Sequence, residues 1–355
     1  MSALDNKALH QRFVEAMNNG ARGEALGAFY TNLDPELAPG LDVFKGMGLT
    51  GGPIDLENLP AFRADLEGLL RAQMEEMVRS QTAPSDQVST EDRRGPGPDG
   101  DPDVMIRIYR PTDRAGTLPG LYWIHGGGMI LGNVDQDDMT CKAYAEQLGC
   151  VAVSVEYRLA PEHPHPAPVE DCYAGLKWMA EHAVEISVDP SRIALAGPSA
   201  GGGLAAATAL VARDRGGPPL ACQILIYPML DDRNITPSSR EFAGIPGWSR
   251  EANLSGWTAL LGDKIGTEDV SPYAAPARAS DLSNLPPTLI QVGELEVFRD
   301  ESVDYALRLM QAGVSTELHV YPGAYHGWEI FVPTASVSQR TIAERFDVLK
   351  RFLHR

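Results

Sequence analysis

Cysteine is scarce in this sequence, and its spacing does not suit metal binding. The four cysteines are Cys141, Cys150, Cys172 and Cys222. None belongs to a Cys-x-x-Cys pair, and their surroundings are apolar or helical in pattern, so neither a zinc site nor a disulfide framework is expected. We therefore expect buried free thiols in a reducing compartment, which predicts a cytoplasmic location. The cysteine spacing predicts that no metal is bound.

Positive charge is also scarce. The formal net charge is −18 at pH 7, with 30 Lys and Arg against 48 Asp and Glu. Nucleic acids and anionic membrane surfaces attract basic patches, so neither is expected as a partner. No apolar run reaches the roughly 18 residues of a membrane-spanning helix. The stretch Met1 to Lys7 lacks the basic and apolar regions of a signal peptide, which agrees with a cytoplasmic location.

From Val104 onward, short apolar runs alternate with helical patterns. Strands are predicted at Val104–Tyr109, Leu121–His125, Val151–Val155, Ile193–Ala196, Cys222–Tyr227, Thr288–Val292 and Glu317–Tyr321. Helices are predicted at Asp138–Leu148, Val169–His182, Gly203–Arg213 and Glu301–Ala312. This alternation is typical of an α/β fold with a mostly parallel sheet and helices on both faces.

Three segments depart from the alternation. Residues 6–80 have a helical pattern that includes an apolar stripe, which must pack against another element. The stripe consists of Leu66, Leu69, Leu70, Met74 and Met77. Ser85 to Asp103 is rich in Gly, Pro and charge, which predicts a linker or a hairpin loop. Asp231 to Ser280 interrupts the strands and helices and is interpreted as an inserted helical segment.

A Gly-x-Ser-x-Gly motif centred on Ser199 follows the apolar run Ile193–Ala196 and precedes a small-residue helical pattern. In this strand–turn–helix context the motif predicts a nucleophile elbow. The flanking glycines remove β-carbons that would clash, and the helix N-terminus favours negative charge beside the serine. The alternative is an ordinary strand-to-helix turn, because Gly- and Ser-rich turns are common.

One of the eight histidines suits a base for Ser199. His326 stands in the turn-rich loop Tyr321–Gly327, just after the last predicted strand. A serine, acid and histidine in that chain order are typical of an elbow-type triad. The alternative is a surface-loop histidine without a catalytic role.

Four carboxylates compete for the position of the acid that would orient His326. They follow the strand Thr288–Val292 and are Glu294, Glu296, Asp300 and Glu301. Glu301 and Asp300 suit the first turn of the next helix, where negative charge is favoured. Glu296 lies nearer the strand end and is the preferred acid. Asp300 is the second choice and Glu294 the third.

A glycine triplet supplies candidate donors for an oxyanion. His125 and the glycines 126–128 follow an apolar strand pattern, and such glycines let backbone N–H groups approach a substrate closely. The N–H groups of Gly127, Gly128 and Ala200 are the candidates. A flexible loop or a phosphate cradle is the alternative, although no P-loop motif accompanies the glycines.

Together these motifs resemble those of the hormone-sensitive-lipase-like esterases, bacterial family IV of the α/β-hydrolase superfamily. The resemblance covers roughly Val104 to Phe352. Its landmarks are Tyr122–Gly128, Glu156–Ala167, the elbow, Arg299–Glu301 and Tyr321–Gly327. It implies an α/β-hydrolase fold, with Ser199 as nucleophile, His326 as base, and Gly127, Gly128 and Ala200 as oxyanion donors.

The resemblance also implies a helical cap. We expect residues 1–85 to form an N-terminal cap segment and residues 86–355 to form the catalytic domain, with a cap insertion at about 231–280. Two positions depart from the family pattern. Pro198 replaces the usual Asp before the nucleophile, and Glu296 stands where the family generally has Asp. Glutamate can serve as a triad acid.

The predicted function is that of a serine carboxylesterase acting on small or short-chain carboxylic esters through an acyl-enzyme. No metal or organic cofactor is expected, and the expected partner is a small-molecule ester substrate. The sequence leaves open whether the protein forms a homodimer. An amidase, or a lactone or thioester hydrolase, could use the same triad. A non-catalytic ligand receptor is a rival, although it would be expected to lose a triad member. Protein binding through the N-terminal helices is compatible with catalysis.

Overall fold

The computed structural model describes residues 27, 29–68, 87–98 and 100–354. Its strands form one eight-stranded sheet in the order β1-β2-β4-β3-β5-β6-β7-β8. They are β1 (Val88–Gly95), β2 (Val104–Pro111), β3 (Leu118–Ile124), β4 (Val151–Glu156), β5 (Val188–Pro198), β6 (Cys222–Ile226), β7 (Thr288–Gly293) and β8 (Thr316–Tyr321). β1 pairs antiparallel with β2, β2 pairs antiparallel with β4, and the other neighbours are parallel. The predicted mostly parallel sheet is therefore confirmed.

The middle of the sheet is apolar because helices cover both of its faces. β3, β6 and β7 consist entirely of buried residues, as is typical of parallel strands. Trp123 of β3 pairs with Ala196 of β5, and Pro198 of β5 pairs with Ile226 of β6. The carboxyl ends of these strands therefore meet at one edge, which is where ligands bind in open α/β sheets.

Helices precede, connect and follow the strands. They are α1 (Pro39–Gly46), α2 (Asp138–Leu148), α3 (Ala167–Glu181), α4 (Ala200–Arg215), α5 (Pro237–Glu241), α6 (Arg250–Leu261), α7 (Arg299–Gln311), α8 (Trp328–Phe331) and α9 (Ser336–Leu353). Residues 59–68 are also helical. The four helices predicted from the alternation are confirmed as α2, α3, α4 and α7. Among the described residues, no helix combines the length and apolarity needed to cross a membrane.

The prediction of a linker or hairpin loop at Ser85 to Asp103 is partly wrong. β1 occupies Val88–Gly95 and pairs along its length with β2, so the loop is limited to the residues between the two strands. β1 is an edge strand whose side chains are largely exposed. Exposed edge strands carry charged residues, and β1 therefore lacks the apolar alternation by which strands are identified.

The helical prediction for residues 6–80 is correct only in part. Within 29–68, α1 and the helical residues 59–68 are separated by an irregular stretch that contains several glycines. Glycine is unfavourable inside helices. Of the predicted apolar stripe, Leu66 is buried. The other stripe residues, Leu69, Leu70, Met74 and Met77, lie outside the described residues.

Residues 29–68 pack against two segments that are distant in sequence. The Phe44 ring contacts the rings of Tyr325 and Phe331. Gly51 has a φ of +93° and lies so close to Gly244 that a β-carbon would be 2.3 Å from the Gly244 carbonyl oxygen. The N-terminal residues therefore contact both the loop that carries His326 and the segment 231–280.

The segment 231–280 is less helical than predicted. It contains α5, α6 and two short 3₁₀ helices, Gly262–Lys264 and Pro276–Arg278, and the rest of the segment is irregular. Buried Asp232 binds the Arg278 guanidinium through both carboxylate oxygens, at 2.7 and 2.9 Å. The Ser238 N–H donates to Asp300 at 2.7 Å. Polar contacts to α7 and within the segment therefore hold it in place.

Candidate active site

Ser199 occupies a strained turn between β5 and α4. Its φ of +57° and ψ of −122° are sparsely populated by residues other than glycine, and such strain persists where the surroundings fix it. The Ser199 N–H donates to Ile226 O at 2.8 Å, and the Ser199 carbonyl accepts from Met229 N at 3.0 Å. A β-carbon at Gly201 would be 2.1 Å from Ile124 O. The turn therefore requires glycine there and is fixed by β3 and β6.

His326 lies beside Ser199. Its Nε2 is 2.9 Å from the Ser199 Oγ, and its Nδ1 is 2.6 Å from Glu296 Oε2. With the proton on Nδ1, the imidazole donates to the carboxylate and accepts from the serine hydroxyl. The structure thus brings the predicted serine, histidine and preferred acid into one hydrogen-bonded chain.

Glu296 uses both of its carboxylate oxygens. Oε1 accepts from Gly293 N at 2.7 Å, and Oε2 faces His326. The side chain is fully buried. A buried carboxylate is costly unless it is hydrogen-bonded, and these contacts fix its direction.

The competing carboxylates face other partners. Asp300 accepts from Ser238 N and from the Arg299 Nε, so it connects α7 to α5. Glu294 Oε2 accepts from Gly323 N at 2.9 Å and thereby supports the loop that carries His326. Neither contact involves the imidazole.

Glu301, the fourth carboxylate, is buried and faces the chain that follows β6. Its Oε1 accepts from Leu230 N at 2.7 Å and from Asp231 N at 3.2 Å. Burial, with a further contribution from nearby Asp231, raises the pKa of Glu301 well above its ordinary value. Glu301 therefore supports the chain after β6, which also donates to Ser199 O through Met229.

The glycine triplet turns sharply after β3. Gly127 and Gly128 have φ of +117° and +62°, and a β-carbon at Gly127 would be 2.1 Å from Leu131 O. Ala200 is the first residue of α4, where backbone N–H groups have no partner within the helix. In the described part of the chain, none of these three N–H groups donates to a protein acceptor. They remain the candidate donors to an oxyanion.

His125 braces the glycine loop. Its Nδ1 lies 2.8 Å from Gly126 O, and its ring stacks on Tyr157 with centroids 4.1 Å apart. Complete burial lowers the pKa of His125 to about 4, so the ring is neutral at neutral pH. This geometry agrees with a structural rather than a reactive histidine.

Trp248, from the segment 231–280, packs directly on the glycine loop. A β-carbon at Gly128 would lie 2.1 Å from the Trp248 ring. The indole N–H points to Asn253 Oδ1 at 3.3 Å, which fixes the ring in a buried position. The inserted segment therefore bounds the space above the predicted oxyanion donors.

Several contacts at the site were not predicted from the sequence. Arg63 reaches the backbone just beyond the glycine loop, and Tyr227 packs against His326. Tyr227 is the last residue of the predicted strand Cys222–Tyr227, and ligands of such sheets bind beyond the carboxyl ends of the strands. No local sequence pattern indicated the contacts of Arg63, because its partners lie far away in sequence.

The arrangement suits nucleophilic attack on a carbonyl group. A serine at a helix N-terminus contacts a histidine that a buried carboxylate orients, and free N–H groups lie beside it. In the described residues, no group of three or more His, Cys, Asp or Glu side chains is arranged to hold a metal ion.

Known proteins resemble this chain over most of its length. A family described as having the alpha/beta hydrolase fold matches residues 121–330. Carboxylesterase NlhH of Mycobacterium tuberculosis is 39% identical over 265 residues, which are 74% of this chain and 83% of that protein. Ethyl acetate hydrolase of Pseudomonas putida is 33% identical over 228 residues, 63% of this chain and 70% of that protein. The solved structure of a bacterial heroin esterase is 46% identical, covers 91% of this chain and 98% of its own, and has a TM-score of 0.83.

Proposed function

Because this chain belongs to the hormone-sensitive-lipase-like esterases of the α/β-hydrolase fold and is a carboxylic ester hydrolase, we propose that Ser199, His326 and Glu296 are its catalytic triad. The observation that carries the proposal is the hydrogen-bonded chain from Glu296 through His326 to the Ser199 hydroxyl, at 2.6 and 2.9 Å. The strained elbow holds the hydroxyl at the start of α4.

Acylation begins with attack of the Ser199 Oγ on the ester carbonyl. His326 Nε2 takes the hydroxyl proton, and Glu296 stabilises the resulting imidazolium. The carbonyl oxygen becomes an oxyanion that accepts from the N–H groups of Gly127, Gly128 and Ala200. Each such donor typically contributes about 10²–10³ in rate. His326 then protonates the departing alcohol, and an acyl-enzyme remains.

Deacylation repeats these steps with water. His326 removes a proton from a water molecule, which attacks the acyl carbonyl. The same N–H groups stabilise the second oxyanion. Its collapse releases the carboxylic acid and returns the proton to Ser199. The neutral His125 takes no part in either transfer.

We propose small or short-chain esters as substrates. Ser199 is only 7% exposed, and Trp248 packs against Gly128 of the glycine loop, which supports a confined site. The name of one relative, which specifies ethyl acetate, supports this choice. We also propose that residues 29–68 and 231–280 form a cap, since they contact each other and the loops of the site.

Two finer proposals concern the surroundings of the enzyme. The four buried thiols suit a reducing compartment, which supports a cytoplasmic location. A homodimer is supported by exposed apolar side chains on α7, namely Val303, Leu307 and Met310. Light scattering of the purified protein tests the dimer.

The test of function is a chain-length series of p-nitrophenyl esters, from acetate to decanoate. We expect the highest kcat/KM on the short esters, and Ser199→Ala should lower kcat by about 10³-fold or more. Ser154→Ala is the matched control, because Ser154 is a buried serine of β4 outside the site and should keep its activity. Equal rates for wild type and Ser199→Ala would refute the proposal. Faster cleavage of p-nitroacetanilide than of the acetate ester would favour an amidase.

A further inference from the structure

Two aromatic rings flank the imidazole of His326. Tyr227 follows β6, and its ring centroid lies 4.6 Å from that of His326 at an interplanar angle of 68°. Phe298, at the start of α7, lies 5.2 Å away at 75°. Both aromatic side chains are almost completely buried. Their edge-to-face contacts restrict how the imidazole can tilt between its two hydrogen-bond partners.

Tyr227 is itself fixed by a buried ion pair. Its hydroxyl donates to Glu329 Oε1 at 3.0 Å, and the same oxygen accepts from Arg345 Nη2 at 2.9 Å. Arg345 also donates to Gln291 Oε1 at 2.8 Å and to the Tyr144 hydroxyl at 3.2 Å. The tyrosine beside the histidine is thus connected to a charged network in the core.

Neighbouring residues also hold the backbone of Tyr227. Its φ is +35°, which is unfavourable for a residue with a side chain. Its N–H donates to the Gln291 carbonyl at 2.6 Å, so Gln291 contacts Tyr227 directly and Arg345 through its side chain. Strain of this kind persists only where neighbouring groups over-determine the conformation.

Stability alone does not account for this network. The desolvation of Glu329 and Arg345 offsets much of their attraction, and apolar residues of similar volume often stabilise a core equally well. Buried polar networks can instead specify one arrangement of the groups they contact. Here the group at the end of the network is the ring that packs on His326.

We propose that Tyr227 is a positioning residue for His326 and that the Glu329–Arg345 ion pair fixes its ring. The inference rests on the proposed triad. The ring keeps Nε2 directed at the Ser199 Oγ while Nδ1 remains on Glu296. Both proton transfers use the same imidazole position, so misplacement lowers kcat, whereas ester binding is little affected. A displacement of about 1 Å can cost about 10²-fold in rate.

The test compares three variants by kcat, KM and the proton NMR signal of the His326–Glu296 hydrogen bond. Tyr227→Leu removes the ring, and we expect kcat to fall by about 10²-fold with KM within threefold and the signal broadened or lost. Tyr227→Phe keeps the ring but loses its tether, and an intermediate loss is expected. Tyr144→Phe is the matched control, because it removes another hydroxyl from Arg345 without contact to His326. It should stay within twofold of wild type and keep the signal.

A folded Tyr227→Leu with kcat and NMR signal like those of Tyr144→Phe would overturn the proposal. If Tyr227→Leu does not fold, Tyr227→Phe decides, since a signal and kcat equal to those of Tyr144→Phe would refute a role for the tether. Ser199→Ala separates this outcome from failure of the proposed function. If Ser199→Ala hydrolyses esters like wild type, Ser199, His326 and Glu296 are not the catalytic triad. The NMR comparison still tests whether Tyr227 positions the imidazole.

Discussion

Two carboxylates that are close in sequence, Glu296 and Asp300, face different partners. Glu296 contacts His326 Nδ1, whereas Asp300 binds Ser238 and Arg299. We therefore expect Glu296→Gln to lower kcat by about 10³-fold or more, because the amide neither fixes the tautomer nor stabilises the imidazolium. Asp300→Asn should cost less than about tenfold. Steady-state kinetics on p-nitrophenyl acetate measures both, and the reverse order would assign the acid to Asp300.

The neutral state of His125 predicts a pH dependence of stability. Burial lowers its pKa to about 4, against an ordinary 6.5, so the unfolded chain binds the proton more tightly. Stability is fully present above pH 6.5 and is lost as the pH falls towards 4, by about 3 kcal/mol in all.

The measurement is urea unfolding at pH 7.5 and pH 4.5, for wild type and for His125→Asn. Asparagine does not titrate, so the unfolding free energy of His125→Asn should fall less between the two pH values than that of wild type. Other titrating groups contribute equally to both proteins. Equal losses in the two proteins would argue against a neutral, buried His125.

At the scale of single residues, the sequence limited the triad acid to four candidate carboxylates. It could rank them only by their distance from the end of the strand. Glu294, Glu296, Asp300 and Glu301 all follow β7, and the path of the turn before α7 decides where each side chain points. Local spacing does not determine that path. Arg345 illustrates the same limit, because its contact with Glu329 depends on how α9 packs under the site.

At the scale of elements, Arg63 connects the N-terminal helical residues 59–68 to the chain just beyond the glycine loop. Its guanidinium donates to Ile130 O at 2.7 Å, to Ala160 O at 2.8 Å and to the Glu162 carboxylate. Removal of Arg63 leaves two carbonyl groups without this partner. We expect Arg63→Ala to lower the free energy of unfolding by about 2–3 kcal/mol and kcat by about tenfold.

Arg63→Lys should recover only part of the loss, because an ammonium group cannot reproduce the guanidinium fork. Arg93→Ala is the control, since Arg93 forms a more exposed ion pair with Glu185. Surface pairs contribute about 0–1 kcal/mol. Denaturant unfolding and kcat measured on all three variants test the prediction. Similar results for Arg63→Ala and Arg93→Ala would show that the contact is only a surface ion pair.

The order and type of most elements could be predicted because apolar periodicity reports burial. The predictions are wrong where the apolar pattern of the sequence does not match the burial of the residues in the fold. β1 is exposed at the sheet edge, and α4 begins at Ala200 rather than at Gly203. Glycines 201–203 disfavour a helix by propensity, yet close contact with β3 and Met229 requires them. Tertiary packing therefore overrides the local preference.

At the scale of the whole molecule, the N-terminal residues 29–68 are part of one packed body. Phe44 is 2% exposed and lies between Tyr325, Phe331 and Gly247. We expect Phe44→Ala to cost about 3–5 kcal/mol of unfolding free energy. Tyr30→Ala, at a half-exposed aromatic of the same segment, should cost well under 1 kcal/mol.

Tryptophan fluorescence and far-ultraviolet circular dichroism during urea unfolding measure both variants. Coincident transitions are expected, because the segment and the sheet share a core. A separate early transition in Phe44→Ala would mean that residues 29–68 unfold on their own. The sequence could not predict this packing, since Phe44 and Tyr325 are brought together only by the complete fold.

The four buried cysteines have a practical consequence for fluorescence work. Burial raises the pKa of Cys150 to about 12, and thiol-reactive dyes need an accessible thiolate. Cysteines introduced at Val184, which is 92% exposed, and at Tyr30 could therefore be labelled in the folded enzyme without removal of a native thiol. Energy transfer between the two dyes would show whether the N-terminal segment keeps its position on the catalytic domain while esters are turned over.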